Sequence, residues 1–131
     1  MISLTANGKY GKTVCTADLS LNEDNSFSLI YEGKIYYRSA SMEIDAIFSE
    51  EKTSVTNEIF KGTWKEDEDN IYLQVSKAEI LKEDGGVMED ERNNKRVFIL
   101  EKNDCDSYVV QDFISDMSTL EFFEENNYEM I

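Results

Sequence analysis

Apolar and polar residues alternate along most of this chain, and this period of two constrains its fold more than any other feature. Successive side chains of a β-strand point to opposite faces, so the alternation predicts strands with one buried and one exposed face. The clearest example is Cys15, Ala17, Leu19 and Leu21, which alternate with polar residues. Further stretches of this kind cover residues 26–31, 34–39, 42–48, 71–75, 96–102 and 107–113. Turn signals at residues 22–25, 32–33, 66–70 and 103–106 separate them.

Seven to eight short strands separated by turns predict a mostly β fold, either an antiparallel meander barrel or a sandwich. With 131 residues, 40% of them apolar, the whole chain (residues 1–131) is expected to form one domain with its own core. The sequence contains no proline, which leaves the turns to Gly, Asn and Asp.

Two segments interrupt the alternation. Residues 83–95 are polar and contain Gly85 and Gly86, which predicts a mobile loop that is too long for a tight hairpin. Residues 115–125 favour a short helix, because Ser118 and Glu121 have the spacing of a capping box and apolar side chains recur at helical spacing. A last strand over residues 119–124 is the alternative.

Several short motifs follow one another in an order seen in a known family. Residues 8–10 read Gly-Lys-Tyr, Cys15 lies in the first alternating strand, and residues 62–64 read Gly-Thr-Trp before Asn-Ile-Tyr-Leu at residues 70–73. In this order they resemble the lipocalin-like meander barrels, especially the N-terminal domains of bacterial copper-resistance lipoproteins. The resemblance implies the barrel architecture. It implies no functional residue, because this sequence has neither the lipidated cysteine nor a Cys-x-x-Cys motif.

Charge is distributed unevenly along the chain. The net charge is −15, of which residues 65–131 contribute −12 and residues 1–64 contribute −3. No Lys or Arg follows Lys102, whereas carboxylates continue to Glu129. Because self-repulsion destabilises a compact state, an acidic excess of this size indicates selection for solubility or for a basic partner. Direct binding of nucleic acid is not expected, since phosphates would be repelled.

The acidic turns and the acidic C-terminal segment, residues 103–131, predict a surface that binds a basic protein, with aromatic side chains as anchors. Blockade of a nucleic-acid-processing enzyme is the leading hypothesis, by analogy with immunity proteins and anti-CRISPR proteins of similar size and acidity. A negative surface that serves solubility alone is the other interpretation. The predicted partner-binding residues are Glu66, Asp67, Glu68, Asp69, Glu89, Asp90, Glu91, Asp104, Asp106, Asp112, Asp116, Glu121, Phe122, Glu124, Glu125 and Tyr128.

Two further functions stay open at this point. A barrel of about eight strands can enclose a small molecule, so the chain could carry an apolar ligand. The C-terminal segment could instead dock on a neighbour as a subunit of a larger assembly. The residues expected to line a ligand pocket are Phe27, Tyr31, Tyr37, Trp64 and Tyr72.

Side chains typical of catalysis are scarce. The sequence contains no histidine, so it lacks an imidazole base and an imidazole metal ligand. Cys15 falls in the apolar phase of a strand and Cys105 lies between two aspartates, which disfavours a reactive thiolate; two reduced thiols are expected. The turn at Asp67 and Asp69 departs from a calcium-binding loop, and no carboxylate pair is singled out for glycoside hydrolysis. We expect no enzymatic activity, no cofactor and no metal.

The first residues show no basic and apolar leader, and no stretch approaches the roughly 18 apolar residues of a membrane span. The expectation is a cytoplasmic protein without a membrane partner.

Overall fold

Nine β-strands form the fold in the computed structural model, which describes residues 2–38, 51–82, 84–103, 106–114 and 117–124. None of these residues belongs to a helix long and apolar enough to cross a membrane. The strands are β1 (Ile2–Tyr10), β2 (Thr13–Leu21), β3 (Ser26–Arg38), β4 (Glu51–Glu66), β5 (Asn70–Leu81), β6 (Val87–Glu89), β7 (Val97–Lys102), β8 (Ser107–Val110) and β9 (Leu120–Glu124).

Eight of these strands close into an antiparallel barrel. They follow one another around the barrel in chain order, with β5 pairing directly with β7, and β9 returns to pair with β1 where Glu124 lies opposite Leu4. The short β6 is an addition outside this ring and pairs with the last residues of β5. The predicted mostly β meander is confirmed, and the pairing of β1 with β9 selects the barrel over the sandwich.

The alternation predicted from the sequence fills the barrel with apolar side chains. In β2 every second residue from Thr13 to Leu21 is buried, as the strand period requires. Four aromatic rings occupy the middle of the interior, with neighbouring ring centroids 5.1–5.8 Å apart in edge-on or tilted arrangements. These rings belong to Tyr31, Phe60, Phe98 and Phe113.

The predicted turn at Glu32 and Gly33 is wrong, because β3 runs without interruption from Ser26 to Arg38. Gly33 has a packing role there instead. A Cβ atom at this position would lie 2.6 Å from the hydroxyl oxygen of Tyr31 and 3.0 Å from its ring. A glycine inside a strand often marks such a close approach, so the two predicted strands are one. The strand predicted over residues 42–48 lies outside the described residues.

The helix predicted at the C-terminal end is also wrong in the part that the structure describes. Residues 120–124 form β9, which matches the alternative prediction of a last strand. Leu120 and Phe122 point into the barrel, while Glu121 and Phe123 are exposed. The strand is favoured because it supplies hydrogen-bonding partners to β1 and β8 at once, and no local helical signal can compensate for that pairing.

The segment predicted as a mobile loop, residues 83–95, contains regular structure. Its residues 87–89 form β6, and residues 91–95 form a turn. Just before β7, the backbone amide of Val75 in β5 donates a 2.8 Å hydrogen bond to the carbonyl oxygen of Arg96. The segment therefore closes against β5.

Gly62 sits at a β-bulge between β4 and β5, where the pairing register shifts. A Cβ atom there would lie 1.9 Å from the backbone carbonyl oxygen of Gln74 and 2.9 Å from the backbone nitrogen of Ser76. Because backbone atoms cannot swing aside, we expect Gly62→Ala to lower the free energy of unfolding by about 3 kcal/mol. Urea denaturation followed by circular dichroism measures this value.

The matched control is Gly86→Ala, since its Cβ would meet only flexible side chains of Asp84 and Lys82. This variant should change the free energy of unfolding by no more than about 0.5 kcal/mol. Equal stabilities of the two variants would contradict the assigned role of Gly62.

Candidate functional site: the acidic end of the barrel

The hairpin turns of an antiparallel barrel meet at its two ends, and three of them meet at the same end here. The β2–β3, β4–β5 and β7–β8 turns lie there, together with the start of β1 and the end of β9. The strand pairing fixes this arrangement: Glu66 lies opposite Ile71 in one hairpin and Lys102 lies opposite Tyr108 in another. These turns are far apart in the sequence, and the strand topology brings them together at one end of the barrel.

Carboxylates dominate this end, which we call the acidic end. Among the described residues, Lys65 and Lys102 are the basic side chains at its turns and strand ends. Nine carboxylates surround them, so the local charge is strongly negative. They are Glu23, Asp24, Glu66, Asp67, Glu68, Asp69, Glu101, Asp106 and Glu124.

Carboxylates from three elements lie close enough to the half-buried phenol of Tyr108 to affect its pKa. Its pKa is raised, first by burial and then by the negative charges of Glu124, Glu66 and Asp106. Lys102 acts in the opposite direction. One side chain therefore senses β9, the β4–β5 hairpin and the β7–β8 turn together.

The β4–β5 turn is held by the Asp67 carboxylate. This group accepts hydrogen bonds from the backbone amides of Asp69 (2.9 Å) and Asn70 (2.8 Å) and from the hydroxyl of Tyr72 (2.9 Å). These bonds, the backbone ones first, lower the pKa of Asp67. Asp67 is therefore mainly a turn-forming residue.

Lys102 ties the neighbouring turn to this one. Its ammonium donates a 2.8 Å hydrogen bond to the Asp67 carbonyl oxygen and lies 3.3 Å from a carboxylate oxygen of Glu66. The backbone amide of Lys102 donates to the carbonyl of Asp69 at 2.9 Å. The two acidic turns consequently form one connected surface.

A groove of about 630 Å³ runs beside the acidic end, along β4, β5 and the start of β7. Trp64 lines it, and its indole nitrogen donates a 3.0 Å hydrogen bond to the carbonyl oxygen of Asn22, which fixes the ring. Tyr72 and the exposed Val97 add apolar surface. The groove thus combines aromatic and apolar walls with the acidic turn at one end.

The structure brings together six of the predicted partner-binding residues at the acidic end. They are Glu66, Asp67, Glu68, Asp69, Asp106 and Glu124. Sequence reasoning missed Glu23, Asp24 and Glu101. The available signal was that Glu23 and Asp24 occupy a predicted turn.

The other predicted partner-binding residues lie elsewhere. At the opposite end of the barrel lie Glu89, Asp90 and Glu91, which come after β5, and Asp112, which belongs to the β8–β9 connection. Glu121 is on the outer face of β9. Phe122 is in the core, so it is not an available surface anchor in this fold. Outside the described residues lie Asp104, Asp116, Glu125 and Tyr128.

The predicted ligand-pocket residues do not surround one cavity. Phe27 and Tyr31 are part of the packed interior, whereas Trp64 and Tyr72 line the groove. The side chain of Tyr37 lies outside the described residues. Because the four central rings contact one another, a ligand in the interior would have to displace them.

Neither a metal site nor a reactive thiol is found in the part of the chain that the structure describes. No group of three or more His, Cys, Asp or Glu side chains there has the geometry to hold a metal ion. Cys15 is free and buried, and burial raises the pKa of its thiol, which disfavours the thiolate. Cys105 lies outside the described residues.

A second cluster of titratable groups, at the opposite end of the barrel, was not predicted. Glu58 points inward from β4 and is 4% exposed, and the Asp90 carboxyl group hydrogen-bonds to it. The sequence carried a signal for the burial of Glu58, which is in phase with the apolar Phe60 and Trp64 of the same strand, but none for its contact with Asp90.

Comparisons of the sequence with protein families and curated proteins, and of the structure with solved structures, find no match. The meander barrel is consistent with a lipocalin-like architecture. The resemblance to copper-resistance lipoproteins gains no family support.

Proposed function

We propose that this protein is a non-enzymatic binding module that docks its acidic end on a cationic surface of another protein. The observation that supports this function is the one-sided placement of charge, nine carboxylates against two lysines at one end of the described barrel. Grouped carboxylates reinforce one another's field, whereas evenly scattered ones would give only a general negative potential.

The groove beside the acidic end supplies apolar contacts that could hold a bound partner, which electrostatic attraction alone does not provide. Aromatic side chains dominate binding hot spots, and Trp64 and Tyr72 lie next to the carboxylates. The ammonium of Lys65 already lies 5.8 Å from the centroid of the Tyr72 ring. A Lys or Arg side chain of a partner would interact with the same face.

The partner class follows from charge complementarity. Proteins that bind nucleic acid present clustered Lys and Arg to neutralise phosphates. A rigid acidic surface fits such a cationic groove and would block it sterically. A nucleic-acid-processing enzyme is therefore the proposed partner. The alternative function of an apolar-ligand carrier gains no support from an interior filled by Tyr31, Phe60, Phe98 and Phe113.

The test compares two variants that lose the same number of charges. The acidic-end variant carries Glu66→Gln, Glu68→Gln, Asp69→Asn and Glu124→Gln, and keeps the turn-forming Asp67. With roughly 0.5 kcal/mol per removed charge, its dissociation constant for an oligo-arginine peptide should rise about 30-fold at an ionic strength of about 0.15 M. The fluorescence of Trp64, which lines the groove, reports binding.

The control variant carries four substitutions away from the acidic end: Glu32→Gln, Glu79→Gln, Glu91→Gln and Glu121→Gln. It should bind the peptide no more than about threefold more weakly than the wild type, because distant exposed charges are screened. Capture from a lysate of the source organism with both variants then identifies the partner, which the acidic-end variant should fail to retain. Equal loss of affinity in both variants would refute a localised docking surface and leave solubility as the role of the charge.

A further inference from the structure

Residues 87–96, which comprise β6 and the turn that follows it, lie alongside the second half of β5, at the end of the barrel opposite the acidic end. We call these residues the flap. A pocket of about 340 Å³ lies beneath the turn. The lining includes Glu58, Ile80, Asp90, Arg92, Arg96 and Ile114.

Two carboxyl groups join the flap to the barrel wall. Glu58 belongs to β4 and Asp90 to the flap; they are 4% and 5% exposed, and they hydrogen-bond to each other. The side-chain amide of Asn93 donates to both, at 3.3 Å to Glu58. Two buried carboxylates in contact would repel strongly, so one proton between them is the stable arrangement.

The rest of the flap is fastened to β5 close to this pair. The Asp90 amide donates a 2.8 Å hydrogen bond to the Ala78 carbonyl, and the Ala78 amide donates a 2.9 Å bond to the side chain of Asn94. The Lys95 amide donates to the Val75 carbonyl at 2.9 Å. Several bonds of the flap thus depend on the position of the turn that Asp90 begins.

We propose that Glu58 and Asp90 share one proton and form a pH-sensitive latch that fastens the flap to the barrel wall at this end. Loss of the shared proton leaves two adjacent carboxylates, and their repulsion releases the turn from β4. Release uncovers the apolar pocket wall at Ile80 and Ile114. This end of the barrel lies away from the proposed docking surface, and the latch does not depend on that surface.

The charged and titratable groups around the latch favour this assignment of the proton. Burial, followed by the hydrogen bond and charge of Asp90, raises the pKa of Glu58, whereas the bond from Glu58 is the main cause of the lowered pKa of Asp90. Arg92 lies 3.7 Å from the Asp90 carboxylate and favours its charged form. Arg96 lines the same pocket and donates to Asn93 at 3.0 Å.

The groups that face Glu58 from the described part of the barrel wall are one phenol and two apolar side chains. The Tyr31 phenol lies opposite on β3 and Ile80 lies opposite on β5, and Ile114 approaches from the β8–β9 connection. The proton shared with Asp90 therefore makes this pocket sensitive to mildly alkaline pH.

Limited proteolysis with trypsin tests the latch, since the flap contains the cleavable residues Arg92, Lys95 and Arg96. Rates at these sites are normalised to a free peptide of residues 90–96, which removes the pH dependence of trypsin itself. Between pH 7 and pH 9 the normalised rate should rise about tenfold in the wild type. Cleavage after Lys77, in the middle of β5, should remain slow over the same range.

Glu58→Gln is the decisive variant, because its amide donates permanently to Asp90 as the protonated acid does. Its normalised flap cleavage should be independent of pH, whereas the control Glu79→Gln, on the outer face of β5, should follow the wild type. A flat wild-type profile, or a Glu58→Gln profile that rises like the wild type, would overturn the proposal. Carbon-13 NMR of the wild-type carboxyl groups gives an independent measurement: one glutamate should titrate near pH 8. Ordinary titration of every glutamate would also overturn it.

Discussion

Replacement of Phe113 by Ala should lower the free energy of unfolding by about 3–5 kcal/mol, more than the loss expected for Gly62→Ala. Phe113 is 0% exposed although it belongs to no strand. Its ring centroid lies 5.6 Å from that of Tyr31, 5.8 Å from Phe60 and 5.1 Å from Phe98. The connection between β8 and β9 therefore contributes one of the central rings of the core. Removal of this ring leaves a void, because the strands of a closed barrel cannot move together to fill it.

Urea denaturation of Phe113→Ala measures the loss, with Phe123→Ala as the matched control. Phe123 is on the outer face of β9 and 37% exposed, so its truncation should cost about 1 kcal/mol or less. The void should also bind benzene, as dry apolar cavities do, while the wild type should not. Similar stability losses in the two variants, or benzene binding by the wild type, would contradict a tightly packed interior.

Stability should also fall as the pH rises from about 5 to 9, by more than general charge repulsion accounts for. Burial and the contact with Asp90 raise the pKa of Glu58 from 4.5 to about 8 in the folded state. The folded protein therefore holds a proton that the unfolded chain releases at lower pH. The resulting stabilisation is complete below pH 4.5 and is lost as the pH rises to about 8.

The expected loss is several kcal/mol, since each unit of pKa difference corresponds to about 1.4 kcal/mol. Asp90 opposes this trend only at acidic pH, because its pKa is lowered in the folded state. Its contribution to the stability of the fold is present above pH 3.8 and is lost as the pH falls further. Urea denaturation at several pH values measures the curve, at high salt to reduce general charge repulsion. Glu58→Gln should flatten it, and Glu79→Gln should not. A wild-type curve that rises steadily from pH 5 to 9 would contradict the assigned proton.

Much of the barrel was predictable, because the strand period of two is local and is written directly in the residues. The alternation of Cys15, Ala17, Leu19 and Leu21 predicts the inward face of β2 correctly. Local signals failed where a residue serves a distant partner. Gly33 makes room for the Tyr31 ring and begins no turn, and the capping-box spacing of Ser118 and Glu121 is overridden by the pairing of β9 with β1 and β8.

The candidate site, too, was predictable only where it depends on local residues. Charge counting predicted an acidic surface, and the turn at Glu66 to Asp69 was included in it. Only the closed topology could show that this turn shares one end with Asp106 and Glu124, while Glu89 and Asp112 lie at the other. The contact between Glu58 and Asp90 depends on the pairing of the flap with β5, so their positions along the chain carried no indication of it.

By itself, the sequence determined that the chain forms antiparallel strands with an apolar face, and that its surface is strongly negative. Both properties are sums over local residues and need no knowledge of which segments meet. The tertiary structure decided that the strands close into a barrel, that nine of the described carboxylates share one end, and that two acids share a buried contact at the other. These features arise from long-range pairing, in which hydrogen-bond partners and burial are set by residues far away in the chain.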